Sequence, residues 1–297
     1  MNNNTDKRIG VIGRHDGWSS RKLADAFETR TGHRCLIEMD NLAFDLERGT
    51  VCHGSVDLAT LDALVVKKIG AAYSPDLLDR MEILRFLRSR GVRIFSEPDS
   101  MILAMDRISC TVTLRLGEIP IPPTTITENA DEAVKAIERY GRAILKPVYT
   151  SKARGMIVVE SGNGVADAVG SFQQGGNPIM YIQKMVPLPG RDLGLVFLGG
   201  KYVGTYARVG DGASWNTTTR SGGRYEPFEP ASELIDLADR AQQLFKLAFT
   251  CVDVAETPDG PVVFEVSAFG GFRGLLEARE IDAAELYADY VLGELSA

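Results

Sequence analysis

The chain has 297 residues, 44% of them hydrophobic, with a formal net charge of −7. That is ample for a core in two or three small domains. The acidic balance excludes a general nucleic-acid binder, which needs a basic face, and no apolar run of about 18 residues offers a membrane span. The opening MNNNTDKRIGVIG is polar and then enters a strand, unlike a signal peptide. Cys35, Cys52, Cys110 and Cys251 lack metal-ligand spacing and predict reduced thiols in a cytoplasmic protein. His15, His33 and His53 all lie in the first fifth, so any chemistry in the second half proceeds without imidazole.

In chain order, RIGVIG (8–13) predicts a strand, Ser20 to Thr31 a helix, CLIEMD (35–40) a second strand and LDALVVKKI (61–69) a third. A helix follows from Pro75 to Arg90, closed by Gly91, and then the strand VRIFS (92–96). This alternation predicts a parallel sheet covered by helices. Gly10 and Gly13 are only a fragment of a dinucleotide fingerprint, so NAD binding is rejected. Helices are expected over Ser100–Met105 and Ser109–Leu116, before the proline-rich crossing GEIPIPPTT (117–125). Asn129 or Asp131 starts a helix that ends at Tyr140, and AILKPV (143–148), MIVVE (156–160) and PIMYIQKMV (178–186) read as strands. LGLVFLGG and KYVGTYARV form a hairpin around Gly199 and Gly200. Residues 210–227 read as one long polar loop, Pro230 to Phe249 as a long helix and Asp282 to Leu295 as the last helix.

Two stretches invite chemistry. CVDVAETPDGPVVFEVSAF (251–269) holds two apolar runs joined by a Thr257-Pro258-Asp259-Gly260 turn, a β-hairpin pattern. Glu265 and Ser267 share a strand face, and Asp253 opposite would complete three oxygen donors suited to Mg²⁺. A surface hairpin with two solvated acids is the plain alternative, against which stand the apolar neighbours on both sides of each acid. Lys146 interrupts an apolar strand and needs an anionic partner, unless it snorkels at the strand end. The loop after it supplies Lys152, Arg154 and Gly155, suited to folding over phosphates. Tyr181 to Val186 can flank a flat heterocycle whose edge is read by backbone, or can be a core strand. Asp192 is placed to accept from a ribose hydroxyl or to cap Arg191, and Arg208 ends a strand running towards Asn216 and Arg220.

The order of these parts resembles the ATP-grasp superfamily, and within it the RimK-type ligases. The matching stretches are VVKKIG, AMDRISCTVTLRLGEIPIPPT, ILKPVYTSKARGMIVV, IQKMVPLPGRD, ARVGDGASWNTTTRSGG and VDV…GPVVFEVSAFGGFRG. The resemblance implies an α/β (α+β) ATP-grasp fold with ATP bound between the last two of three subdomains: residues 1–97, an N-terminal parallel α/β domain; 98–182, a central lid; 183–297, a C-terminal subdomain with the metal site. It implies that Lys146, Arg107 and Arg154 meet phosphates, that Gln183, Lys184 and Met185 line adenine, and that Asp192 binds ribose. Arg208 and Asn216 would act on the phosphoryl group, and Asp253, Glu265 and Ser267 would hold two Mg²⁺, with Mn²⁺ as a substitute. Lys67, Lys68, Arg220 and Arg273 would touch substrate.

The implied activity is ATP-dependent amide formation through an acyl phosphate, adding glutamate or a similar amino acid to a cofactor, peptide or protein carboxylate. The expected partners are that amino acid and its acceptor, with no nucleic acid, no membrane, and assembly as a homo-dimer or tetramer. Four departures stand out: Lys184 where the family has Glu, Gly194 where it has Arg, Ser267 where it has Asn, and a basic loop (Lys152, Arg154) where it is mainly glycine. Lys184, Gly194 and Ser267 motivate a competing expectation, a nucleotide-binding regulatory protein whose chemistry has decayed, and a kinase that stops at phosphoryl transfer is a further rival.

Overall fold

The computed structural model describes residues 6–72, 74–151, 153–212, 215–218 and 222–297. Apolar runs flanked by turn residues open the chain as β1 (Ile9–Ile12), α1 (Trp18–Thr31) and β2 (Leu36–Ile37). A small antiparallel sheet follows, made of β3 (Leu42–Asp45), β4 (Thr50–His53) and β5 (Val56–Asp57). The sequence pattern does not announce this sheet, because its strands are largely half-buried and their alternation is diluted by charge. Then come β6 (Ala63–Val66), α2 (Asp76–Ser89) and β7 (Arg93–Phe95). The large strands align in parallel in the order β2-β1-β6-β7. The glycines of RIGVIG serve packing: a β-carbon on Gly10 would begin 2.7 Å from the side chains of Ile37 and Leu64.

Two helices, α3 (Pro98–Met105) and α4 (Arg107–Leu116), come next; Asp106 caps α4 by accepting from the Ser109 N–H at 2.6 Å. Both helices pack against the last strand of the C-terminal sheet, and the crossing accepts a bond there from Val263 N–H to the Pro120 carbonyl. Residues 98–123 thus lie with the C-terminal layer, although the sequence reading grouped them with the lid.

The middle sheet comprises β8 (Thr124–Thr127), β9 (Arg142–Lys146), β10 (Ile157–Glu160) and β11 (Met180–Lys184), antiparallel in the order β10-β9-β11-β8. It is backed by α5 (Ala130–Tyr140) and α6 (Val165–Gln174), and its core draws only on residues between Ala133 and Ile182. Helix α6 was not anticipated; Val165, Val169 and Phe172 give it an apolar stripe, diluted by Gly170. Strand β11 continues to Lys184, past the expected boundary after residue 182.

The C-terminal sheet has five antiparallel strands: β12 (Arg191–Leu198), β13 (Lys201–Val209), β14 (Arg224–Pro227), β15 (Phe249–Thr257) and β16 (Gly260–Ser267), in the order β14-β13-β12-β15-β16. Two expectations change here. The supposed loop 210–227 ends in β14, because Arg224–Pro227 pair with the end of β13. The supposed helix to Phe249 is the shorter α7 (Ser232–Gln243), and Phe249 instead begins β15. Helices α8 (Phe272–Arg279) and α9 (Ala283–Ser296) close the chain; α8 was not foreseen, its pattern being broken by Gly274.

One face of this sheet, with Leu193, Leu195, Val252, Val254, Val263 and Val266, is buried in the core that includes α7. Part of the other face lies under α8, α9 and the N-terminal sheet, through Val196, Tyr206, Cys251 and Phe272. The rest of that face carries polar side chains and forms the site. Among the described residues, no helix is long and apolar enough to cross a membrane.

Candidate active site

The metal-site hairpin forms as its turn sequence dictates, and Asp253 pairs directly with Glu265 across β15 and β16. A bulge decides where the acids point. Val254 pairs with Val263, so Phe264 is the extra residue and the alternation resets there. Val263 therefore faces the core while Glu265 faces the cleft. The expectation that both acids avoid solvent is corrected: Glu265 is exposed and has no hydrogen-bond or ion-pair partner among the described residues, whereas Asp253 is only 15% exposed. Ser267 lies two residues on from Glu265, its hydroxyl accepting from the Phe269 N–H at 3.4 Å.

Arg208 organises the neighbouring strands. It sits opposite Asp192 in the β12–β13 register, and its Nε donates to Asp192 Oδ2 at 3.0 Å. Its Nη2 contacts the same oxygen and lies 3.0 Å from Asp253 Oδ1. One guanidinium thus bridges two carboxylates, flanked by the Glu265 charge. Burial alone would lower the Arg208 pKa; Asp192 and Asp253 outweigh it and raise it. Burial pushes Asp253 up to about 7, against Arg208 and with the repulsion of Glu265 and Asp192. The other oxygen of Asp192 accepts the hydroxyl of Thr217, a residue the sequence reading passed over in the NTTT run. Arg208 thus occupies one oxygen of Asp192, while the oxygen that accepts from Thr217 keeps a lone pair for the ribose hydroxyl expected of it. Asn216 folds back on its own loop, its side-chain oxygen accepting from the Thr218 N–H and hydroxyl.

Gly194 has a steric cause. It lies between Tyr206 and Asp253 in the sheet, and a β-carbon there would begin 2.4 Å from the Tyr206 ring. The phenol occupies the space a side chain at 194 would take, with Gly274 of α8 bare on another side of the ring, 2.5 Å from a β-carbon built there.

The second cluster belongs to the middle sheet. Lys146 pairs with Tyr181 across β9 and β11 and donates its ammonium to Gln183 Oε1 at 2.5 Å. Burial and nearby Arg107 push the Lys146 ammonium down to about 7, with Glu265 pulling the other way. The same ammonium lies 5.8 Å from the Phe264 ring, so the polar face of the middle sheet looks onto the metal hairpin. Arg107 donates to the carbonyls of Pro147 and Thr150 at 3.2 and 2.8 Å and thereby holds the loop after Lys146. Arg154 is exposed and bonds within that loop to Ser151. Lys152 and Arg220 lie outside the described residues.

The hinge after β11 is more constrained than the sequence suggested. The N–H groups of Lys184 and Met185 are donated to the carbonyls of Pro123 and Arg142, at 2.8 and 2.9 Å. A heterocycle edge is left the Lys184 carbonyl and the N–H of Val186, which has no partner among the described residues.

Of the expected substrate residues, Lys67 is sealed at 3% exposure. Its ammonium donates to the Phe269 carbonyl at 2.5 Å and lies 4.0 Å from the Phe272 ring centre. It joins the N-terminal sheet to the segment after the metal strand and reaches no open cleft. Lys68 is exposed, and Arg273 covers the Trp18 ring at 5.2 Å with a loose contact to Glu277.

The RimK-like ATP-grasp domain matches residues 104–291, most of the chain and all of both clusters. The chain belongs to that family. It is 24% identical to the tetrahydromethanopterin:alpha-L-glutamate ligase of Methanosarcina acetivorans, over 96% of this chain and 98% of that one. It is 25% identical to the glutamate–LysW ligase ArgX of Sulfurisphaera tokodaii, over 69% and 74% of the two chains. Its fold matches the ATP-grasp ligase PsnB, solved with a precursor variant, Mg and ADP, at a TM-score of 0.75 and 18% identity, over 99% of this chain and all of that one. This RimK-like protein is an ATP-grasp enzyme that forms carbon–nitrogen bonds.

The donor set suits the family's metal. Two carboxylates and a hydroxyl are hard oxygen ligands, and the nearby Cys251 thiol, 3.7 Å from Asp253 Oδ1, is kept protonated by burial and is a poor ligand. Mg²⁺ is held in this way, by one or two carboxylates with substrate phosphates and water completing the shell.

Proposed function

We propose that this protein ligates L-glutamate, or a closely similar amino acid, to the carboxylate of a second substrate. One observation carries the reading: Asp253 and Glu265 stand opposite each other on the polar face that also bears Asp192 and Arg208, with Lys146 above them. The names of the relatives favour glutamate, and they differ in acceptor, one a cofactor and the other LysW.

Lys146, aimed by Gln183, meets the α- and β-phosphates of ATP, and Arg107 keeps the following loop, with Arg154, over them. The Lys184 carbonyl and Val186 N–H read the adenine edge. Asp253, Glu265 and Ser267 would hold Mg²⁺, two ions as the resemblance implies, which would supply positive charge against the phosphates of ATP. Arg208 offers its guanidinium beside the transferring phosphoryl, with Asp192 as its counter-ion and Asn216 shaping the adjoining loop. The γ-phosphoryl passes to a substrate carboxylate oxygen as its bond to ADP breaks. A neutral amine then attacks the carbonyl carbon, phosphate leaves with its C–O bond, and the nitrogen gives up one proton, leaving an amide. Lys68, which is exposed, and Arg273 would meet an anionic substrate.

Phosphate release with glutamate and a panel of carboxylates, read by product mass, tests the proposal. Hydroxylamine should trap a hydroxamate in the absence of amine. Phosphate transfer that yields no hydroxamate and no amide product would point to a kinase and overturn the ligase reading for this site.

A further inference from the structure

Tyr181 has no role in the chemistry above, yet it is 2% exposed and sits at the centre of the phosphate-side cluster. The directions of its hydrogen bonds can be worked out. The Thr111 hydroxyl donates its one proton to the Arg107 carbonyl at 2.9 Å. Thr111 Oγ1 and the Tyr181 hydroxyl are 2.8 Å apart, so the phenol must donate in that pair. The Gln183 amide nitrogen donates to the Tyr181 oxygen at 3.2 Å and to Thr124 Oγ1 at 3.1 Å. Its amide oxygen is thereby turned towards Lys146, whose ammonium it accepts. Reversing the amide would set its NH₂ against the ammonium and leave two hydroxyl oxygens unmatched.

The chain therefore runs in one direction, from Lys146 to Gln183, Tyr181, Thr111 and the Arg107 carbonyl. Arg107 closes it, because its guanidinium holds Pro147 and Thr150 in the loop that follows Lys146. The ring of Tyr181 adds to this: the Lys146 ammonium and the Arg107 guanidinium each lie 5.8 Å from its centre. The chain also crosses a structural boundary. Tyr181, Gln183 and Lys146 belong to the middle sheet, whereas Thr111 is on α4, which packs on β16 beside the metal ligands.

We propose that Tyr181 and Thr111 are positioning residues: their hydroxyls tie the middle sheet to the C-terminal layer and so fix where Lys146 and the Arg107-held loop stand relative to the metal hairpin. The inference rests on Lys146 being a phosphate ligand. It extends that reading to two residues that touch no substrate and act through Gln183 and Arg107.

The test is steady-state kinetics and direct ATP binding for Tyr181→Phe and Thr111→Val, which keep shape and remove one hydroxyl each. Each variant should raise KM for ATP about tenfold, the equivalent of 1.4 kcal/mol, and leave KM for amine and carboxylate unchanged. The double variant should be no worse than either single one, because the chain is already broken. Thr111→Ser should restore wild-type values. Lys146→Ala is the control: if it too leaves ATP binding unchanged, the phosphate assignment itself fails. If Lys146→Ala weakens ATP while the two hydroxyl variants do not, or if their effects multiply or spread equally over all three substrates, this inference alone is overturned. Should Tyr181→Phe fold poorly, Thr111→Val on its separate helix carries the same test.

Discussion

The two polar faces that meet in the cleft hold their cations in opposite ways. On the middle sheet, Lys146 is surrounded by neutral dipoles, aromatic rings and the like charge of Arg107, and its pKa falls to about 7. On the C-terminal sheet, Arg208 is bracketed by Asp192 and Asp253, and its pKa rises. The first cation has its charge uncompensated and gains on meeting an anion. The second is already neutralised, and its partners lose if it is removed. A buried cation beside hydrogen-bonding neutral groups is a binding device, whereas one between carboxylates first holds the sheet together.

The largest effect should come from Glu265, which has no hydrogen-bond or ion-pair partner to lose among the described residues. Glu265→Gln should cut turnover by about 10³-fold while the thermal midpoint stays within error; a variant of near-normal activity would remove the hairpin from the chemistry. Arg208→Met should show its cost in folding, by about 3 kcal/mol in urea titrations, because two buried carboxylates lose their counter-ion. Adding Asp253→Asn should recover part of that loss, and a stable single variant would contradict the view of Arg208 as a strut.

Lys146→Ala should leave stability nearly untouched and raise KM for ATP roughly 30-fold, the scale of one charge-assisted bond. The sign of its proton linkage follows from the lowered pKa. Above about pH 7 the free protein holds Lys146 mostly neutral, and a phosphate favours the charged form. Binding of metal-free ATP at pH 8 should therefore take up close to one proton, seen by calorimetry in buffers of differing ionisation heat and lost in Lys146→Ala. The smallest effect is steric. Gly194→Ala should cost about 1–2 kcal/mol in the same urea titrations by forcing the Tyr206 ring out of its slot; a neutral outcome would mean the ring has room to move.

Much of the site could be read in the sequence because its signals are local. The Pro258-Asp259-Gly260 turn fixes the hairpin, an apolar strand interrupted at Lys146 marks a buried cation, and Glu265 and Ser267 share a face by strand periodicity. The same periodicity could not foresee the bulge at Phe264, which needs the partner strand to define it. The departures at Gly194 and Lys184 also change meaning. Gly194 makes room for Tyr206, and the Lys184 N–H is spent on the Pro123 carbonyl while its side chain is exposed.

The sequence by itself thus determined the fold class, the order of the phosphate, hinge and metal segments, and the shared strand face of Glu265 and Ser267, while the Phe264 bulge set Asp253 opposite Glu265. Only the tertiary structure decided that Asp192 is held by Arg208 and Thr217, that Lys67 is sealed against Phe269 and Phe272, and that Tyr181 and Thr111 complete a chain behind Lys146. The physical reason is range. Turns and strand faces are set by neighbours a few residues apart, whereas these partners lie 16 to 205 residues apart and meet only when strands pair and layers pack.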